Sequence, residues 1–226
     1  MTKQLDILFN WAHERQSRAV CLVDLHLLVE AYIQAEFQLA LCLADLIVLN
    51  DPLISRILKT FKNKNIPLIS EIMFFEAICD RAAQERVSIY LLGSQNKVLD
   101  ILRARLTTKF PSLVIAGSSA LPFCSASLDE DEVVTQEINR TGAGIVLVSL
   151  GCKSQEFWMS QHKDKVKSVM VGLGAVFPSY IGISNQSPQV RSRLKRYFSA
   201  VQILITYILV QTIGFSSLRR KLFKTD

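Results

Sequence analysis

The 226-residue sequence predicts an α/β fold, a mostly parallel sheet with helices on both faces. Three observations predict it. Short apolar runs such as "AVCLV", "LIVLN" and "GIVLVSL" are rich in branched residues and lack in–out alternation, the mark of strands buried on both sides. Stretches with helical spacing or helix-start signals separate these runs, as in consecutive strand–helix–strand units. Half the residues are apolar and a fifth are charged, and a chain of this length buries about 70% of its unfolded surface.

In chain order, residues 19–23 form the first strand. "HLLVEAYIQAEFQLALCLA" follows with helical spacing, and residues 46–50 form the second strand. Asp51-Pro52 closes that strand, because proline cannot continue a ladder. A short helix is expected over residues 54–61 and a longer one over 71–86. "VSIYLLG" is the clearest strand, "NKVLDILRARLTTKF" its helix, and "LVIAG" the next strand. "SLDE" at residues 127–130 is a capping box, with Ser127 bonding the third amide and Glu130 reaching back, and it opens a helix to about Thr141. Then come "GIVLVSLG", a helix around residues 155–161, and "VKSVMVGLG". The result is a Rossmann-like domain over residues 1–188, with no internal repeat.

Residues 189–226 read as a separate appendage. Bases cluster in "RSRLKRY" and "LRRKLFK", and residues 197–218 between them carry no charge. The polar Ser199, Gln202 and Thr206 share one helical face. A core-packing helix, an interfacial helix with basic ends and a membrane span all fit, with the interfacial reading preferred and the span ranked last. The net charge of +6 favours anionic partners.

The start "MTKQLDILFNWAHERQ" has no apolar signal region. Cys21, Cys42, Cys79, Cys124 and Cys152 form no C-x-x-C pair and read as reduced cytoplasmic thiols. His13, His26 and His162 are far apart, so neither a metal nor a cofactor is expected.

Open parallel sheets bind ligands beyond the carboxyl ends of their strands. There the sequence puts Asp24, Asp51, Gly93, Gly117, Gly151, Gly172 and Gly174, with Gln155 and Glu156 side by side after Gly151. Asp51 suits a general base, or an ordinary turn aspartate before Pro52. Gly93 suits a phosphate loop and a plain turn equally well. Gln155 and Glu156 could hold a sugar or ribose, or form a solvated first helical turn. Trp158 reads as a core anchor before a sugar platform. "GLGAVF" is only part of a dinucleotide fingerprint, since Phe177 stands at its third glycine.

The order of these pieces resembles the WecG/TagA/CpsF family of bacterial glycosyltransferases. The matching segments are "LVDLHLL", "LIVLND", "YLLGSQNKVLDILRARLTTKFP", "GCKSQEFW" and "GLGAVFPSYIG", colinear over residues 20–182. The resemblance implies inverting, metal-independent transfer from a UDP-sugar of the N-acetylmannosamine type or a related one. The implied acceptor is a polyprenyl-diphosphate-linked glycan at the cytoplasmic face of the membrane, in cell-envelope or exopolysaccharide synthesis. It makes Asp51 the base. Asp24, Gly93, Gly151, Gln155, Glu156 and Gly174 would bind substrate, and Arg219 and Arg220 would close over the diphosphate. The implied partners are the UDP-sugar donor, the polyprenyl-linked acceptor and an anionic membrane surface, with no nucleic acid and with homo-oligomer formation left open.

Several motif positions are replaced. Pro52 stands for a glycine, Asp24 for an asparagine, Leu22 for a hydroxyl residue and Pro178 for an aspartate. Lys153 and Ser154 replace a proline and a base, and "QSP" at residues 186–188 replaces Arg-Ala-Pro. A second reading follows, a catalytically degenerate member that binds a nucleotide-sugar or a partner glycosyltransferase at the membrane.

Overall fold

The computed structural model describes residues 1–52, 54–56, 68–121, 128–151 and 153–183. Its elements are α1 (Thr2–His13), β1 (Arg18–Val23), α2 (Leu25–Ile33), α3 (Ala35–Cys42), β2 (Leu46–Leu49), α4 (Glu71–Glu85), β3 (Ile89–Gly93), α5 (Asn96–Lys109), β4 (Ile115–Ser119), α6 (Leu128–Thr141), β5 (Ile145–Ser149), α7 (Ser154–Gln161), β6 (Val169–Gly172) and α8 (Val176–Tyr180). The described strands form one six-stranded sheet in the order β2-β1-β6-β5-β3-β4. Every pairing is parallel, with Val20 opposite Leu46 and Val171, and Leu91 opposite Leu147.

The missing alternation in the strands has a direct cause. Ile89 and Leu91 of β3 point into one core, with α1, α4, α5 and α8. Tyr90 and Leu92 point into a second core on the other face, with α2, α3, α6 and α7. Both faces of the strand must therefore be apolar, and each fully buried aliphatic side chain contributes about 1.5–3 kcal/mol. The edge strand β4 differs, with all five residues only half-buried.

Three elements depart from the sequence expectation. The segment before β1, read only as lacking a signal region, is helix α1, which buries Leu5, Leu8, Phe9 and Ala12 at helical spacing. The helix expected across residues 26–44 is two helices, broken at Gln34, whose backbone is extended at φ −116° and ψ 107°. A straight helix of that length would run about 28 Å at 1.5 Å per residue, far beyond a four-residue strand of about 13 Å. The break turns Phe37 and Leu41 back onto the sheet, where both are fully buried. Strand β4 begins two residues later than expected, so Gly117 lies within it rather than at its end. A Cβ there would stand 2.5 Å from the buried Tyr90 ring.

The helix expected over residues 54–61 is described only to Arg56, and the capping residue Ser127 lies outside the described residues. The appendage, with Arg219 and Arg220, also lies outside them. Among the described residues no helix is long and apolar enough to cross a membrane.

Candidate active site

Strand β1 leads to β2 at one edge and β3 leads to β4 at the other, while β5 and β6 fill the middle. Such a reversal opens a crevice beyond the strand ends. The polar groups expected from sequence gather on the β2-β1-β6-β5 part of that crevice.

Asp24 ends β1 and caps α2, its Oδ1 accepting the Leu27 N–H at 2.8 Å. Asp51 follows β2 and grips two helix starts. Its Oδ1 accepts the Ile54 N–H at 3.1 Å and its Oδ2 the Leu25 N–H at 3.4 Å. The turn aspartate and the strand-end acid are thus one residue, held half-buried beside the α2 N-terminus.

Gln155 and Glu156 are not a solvated turn, since each is only 1% exposed. The Gly174 N–H donates to Gln155 Oε1 at 2.7 Å, and Gln155 Nε2 donates to Glu156 Oε1 at 2.7 Å. Ser149 Oγ donates to the Gly174 carbonyl at 2.8 Å. Both backbone groups of Gly174 are thereby tied to the β5–α7 segment. Gly172 makes this possible, because a Cβ there would lie 2.8 Å from Met159 and 3.2 Å from Gln155 Nε2. The paired glycines of "GLG" therefore serve a side-chain brace, a use that a dinucleotide fingerprint does not anticipate.

Burial pushes the Glu156 carboxyl up to about 7, assisted by the Asp24 charge and opposed by the Gln155 bond and the amides of Glu156 and Lys153. Among the described residues its buried Oε2 has no hydrogen-bond partner. Glu71, at the first position of α4, enters the same region. Burial and then Asp24 raise its carboxyl above the ordinary range, against a hydrogen bond from Asn50. Its oxygens lie 3.7 and 3.9 Å from where a Gly174 Cβ would stand. Sequence reading missed Glu71 and Asn50. Asn50 ends the second expected strand and was a findable neighbour of Asp51, whereas nothing local brings Glu71 to β6. Lys153 sits on the rim at φ +68°, its ammonium 2.5 Å from Glu30 of α2.

Gly93 ends β3 at φ +102°, and a Cβ there would meet the Ser149 carbonyl oxygen at 2.5 Å. Close packing of β3 on β5 is a sufficient reason for that glycine. Gly151 lies after β5 at φ +82°. Trp158 is a core anchor, stacked on His162 at 4.1 Å and donating to Asp131 at 3.1 Å. A separate groove of about 550 Å³ runs between α4, α5 and α8 and contains none of these residues. Among the described residues no group of three His, Cys, Asp or Glu could hold a metal ion.

This arrangement offers two half-buried carboxylates, Asp24 and Asp51, beside a buried carboxyl, Glu156, that holds its proton up to about 7. The glycosyl transferase WecG/TagA/CpsF family model matches residues 1–197, and the chain belongs to that family. It is similar to the N-acetylglucosaminyldiphosphoundecaprenol N-acetyl-beta-D-mannosaminyltransferase of Staphylococcus aureus, 26% identical over 108 residues, 47% of this chain and 40% of that protein. The Bacillus subtilis protein of the same name is 25% identical over 121 residues, 53% of this chain and 45% of that protein. The chain thus spans less than half the length of these relatives.

Proposed function

We propose that this chain moves a sugar from a UDP-sugar, of the N-acetylmannosamine type or related, to a polyprenyl-diphosphate-linked acceptor in cell-envelope or exopolysaccharide synthesis. The observation that carries the reading is the family match over residues 1–197 together with Asp51 at the end of β2. The relatives' names supply the acceptor chemistry, a diphosphoundecaprenol-linked N-acetylglucosamine. In this reading the transfer is inverting and metal-independent. Asp51 takes the proton of the acceptor hydroxyl as that oxygen attacks the anomeric carbon and UDP departs from the opposite side. Gln155 acts through Gly174, holding the backbone that a donor would meet, and Asp24, Glu156 and Gly151 line the approach.

The appendage over residues 189–226 would lie on the anionic inner face of the membrane, with residues 1–188 as the catalytic domain. Arg219 and Arg220 would then grip the diphosphate, for which the planar guanidinium fork is suited. The binding-only alternative is favoured by one feature, the use of both Asp51 oxygens as helix caps.

The test is transfer by the purified full chain with UDP-sugars and a lipid-linked N-acetylglucosamine acceptor. Transfer should occur without added metal, and Asp51→Asn should lower it by about 10²-fold or more. Full activity in that variant removes Asp51 from the mechanism. Nucleotide binding by a parent chain that transfers no sugar leaves the binding-only reading.

A further inference from the structure

Helix α4 begins in the crevice, where Glu71 stands 3.7 Å from the would-be Cβ of Gly174. Beside that acid the chain exposes three large apolar side chains, Leu68 at 50%, Ile72 at 41% and Met73 at 57%. Ile72 and Met73 lie one turn before Glu76 on α4. Glu76 lines the groove of about 550 Å³ together with Ile101, Arg105, Lys109 and Tyr180. An apolar strip thus leads from the crevice rim into the groove, and contiguous exposed apolar groups rimmed by charge mark a docking surface.

The charge around the strip is basic. Residues 52–70, which lead into α4, contain Arg56, Lys59, Lys62 and Lys64 and no acid. Helix α5 exposes Lys97, Arg103, Arg105 and Lys109 against Asp100 alone. Lys109 engages Glu76, and the later acids of α4, Asp80 and Glu85, lie towards the helix end away from the crevice. Arg105 donates to the Tyr180 carbonyl at 2.9 Å, and the described chain ends close by at Ile183, with the charge-free stretch over residues 197–218 following in sequence. Apolar side chains among exposed bases suit an anionic lipid surface, where the first enter the acyl boundary and the second meet headgroups.

We propose that Leu68, Ile72, Met73 and the groove between α4, α5 and α8 dock on an anionic lipid bilayer, a contact of the folded domain separate from the appendage. The inference rests on the glycosyltransferase reading above, in which the acceptor is lipid-linked. Glu71 precedes Ile72 directly, so a bilayer touching Ile72 meets the same edge of the domain as an acceptor headgroup entering the crevice. A tail alone tethers the domain, whereas this strip fixes which edge faces the lipid.

The full chain on vesicles of brominated phosphatidylcholine and phosphatidylglycerol tests this. Tryptophan is placed by Ile72→Trp and, as a control, by Leu39→Trp on α3 across the sheet, where Leu39 is also exposed; the parent's Trp11 and Trp158 supply the background. Emission should be quenched in Ile72→Trp and unchanged in Leu39→Trp. Ile72→Ser with Met73→Ser should weaken vesicle binding about tenfold, with the melting temperature and transfer to a short-chain soluble acceptor unmoved. Quenching as strong or stronger in Leu39→Trp, or absent from both variants on bound chain, overturns the proposal, as does a full chain that binds no vesicles. A dimer that the serine variant loses, with no quenching, makes a second copy the occupant and likewise overturns it. Quenching at Ile72 in a chain that transfers no sugar supports the lipid surface and removes the glycosyltransferase reading.

Discussion

The ends of β3 and β6 both carry glycines at positive φ, yet they are built for different ends. At β3, Gly93 is pressed onto the Ser149 carbonyl with no room for a Cβ. At β6, the nearest described atom to a Cβ built on Gly174 is in the Glu71 carboxylate at 3.7 Å, and both backbone groups of Gly174 are held by side chains. The first glycine is satisfied by packing within the sheet. The second sits beside acids displaced from their ordinary titration range, one with an oxygen that no described residue meets. Displaced and unsatisfied groups mark functional ground better than a glycine does.

Breaking the β3 side should have the largest effect on stability. Gly93→Ala should cost about 3 kcal/mol, combining a disfavoured left-handed backbone with overpacking against a main-chain atom. Denaturant unfolding measures it, and a loss below about 1 kcal/mol would mean that the strand ends can separate.

On the β6 side, Gln155→Ala should cost about 2 kcal/mol with no ligand present, because it strands the Gly174 N–H and the Glu156 carboxyl in a buried site. A variant as stable as the parent would make Gln155 a ligand contact rather than a brace.

Glu156→Gln keeps the shape and removes the acid. The Glu156 carboxyl titrates at about 7 when folded, against an ordinary 4.5. Between those values the folded chain keeps a proton that the unfolded chain has lost, so stability falls as pH rises through the window. The glutamine variant should escape that fall, gaining about 3 kcal/mol at pH 8 and nothing at pH 4. Glu71, also raised, adds a fall of the same sign, and the Asp24 charge raises both. A gain that does not depend on pH would assign the effect to packing.

The smallest effect belongs to the rim. Glu30→Gln should leave stability nearly unchanged, since its pairing with Lys153 is solvent-screened. A larger loss would make that ion pair a structural latch.

Much of the fold was legible because strands buried on both faces have to be apolar throughout, as β3 and β5 are. The break at Gln34 was not, since neither glycine nor proline marks it and only the length of β2 requires it. Helix α1 was overlooked, although Leu5, Leu8, Phe9 and Ala12 carry a helical period. Within the site, Asp24, Asp51, Gln155 and Glu156 could be found because each follows a strand directly. Glu71 is separated from β2 by more than twenty residues, and only the fold brings it to Gly174.

The most direct test of the β6-side site is a titration of the full chain with UDP, followed residue by residue through backbone amide chemical shifts. The largest changes should fall on Asp24, Leu25, Glu71, Gln155 and Gly174, with Gly93 and Ser94 moving little. Changes confined to Gly93, Ser94 and the start of α5 would put the nucleotide on the β3 side and contradict the account.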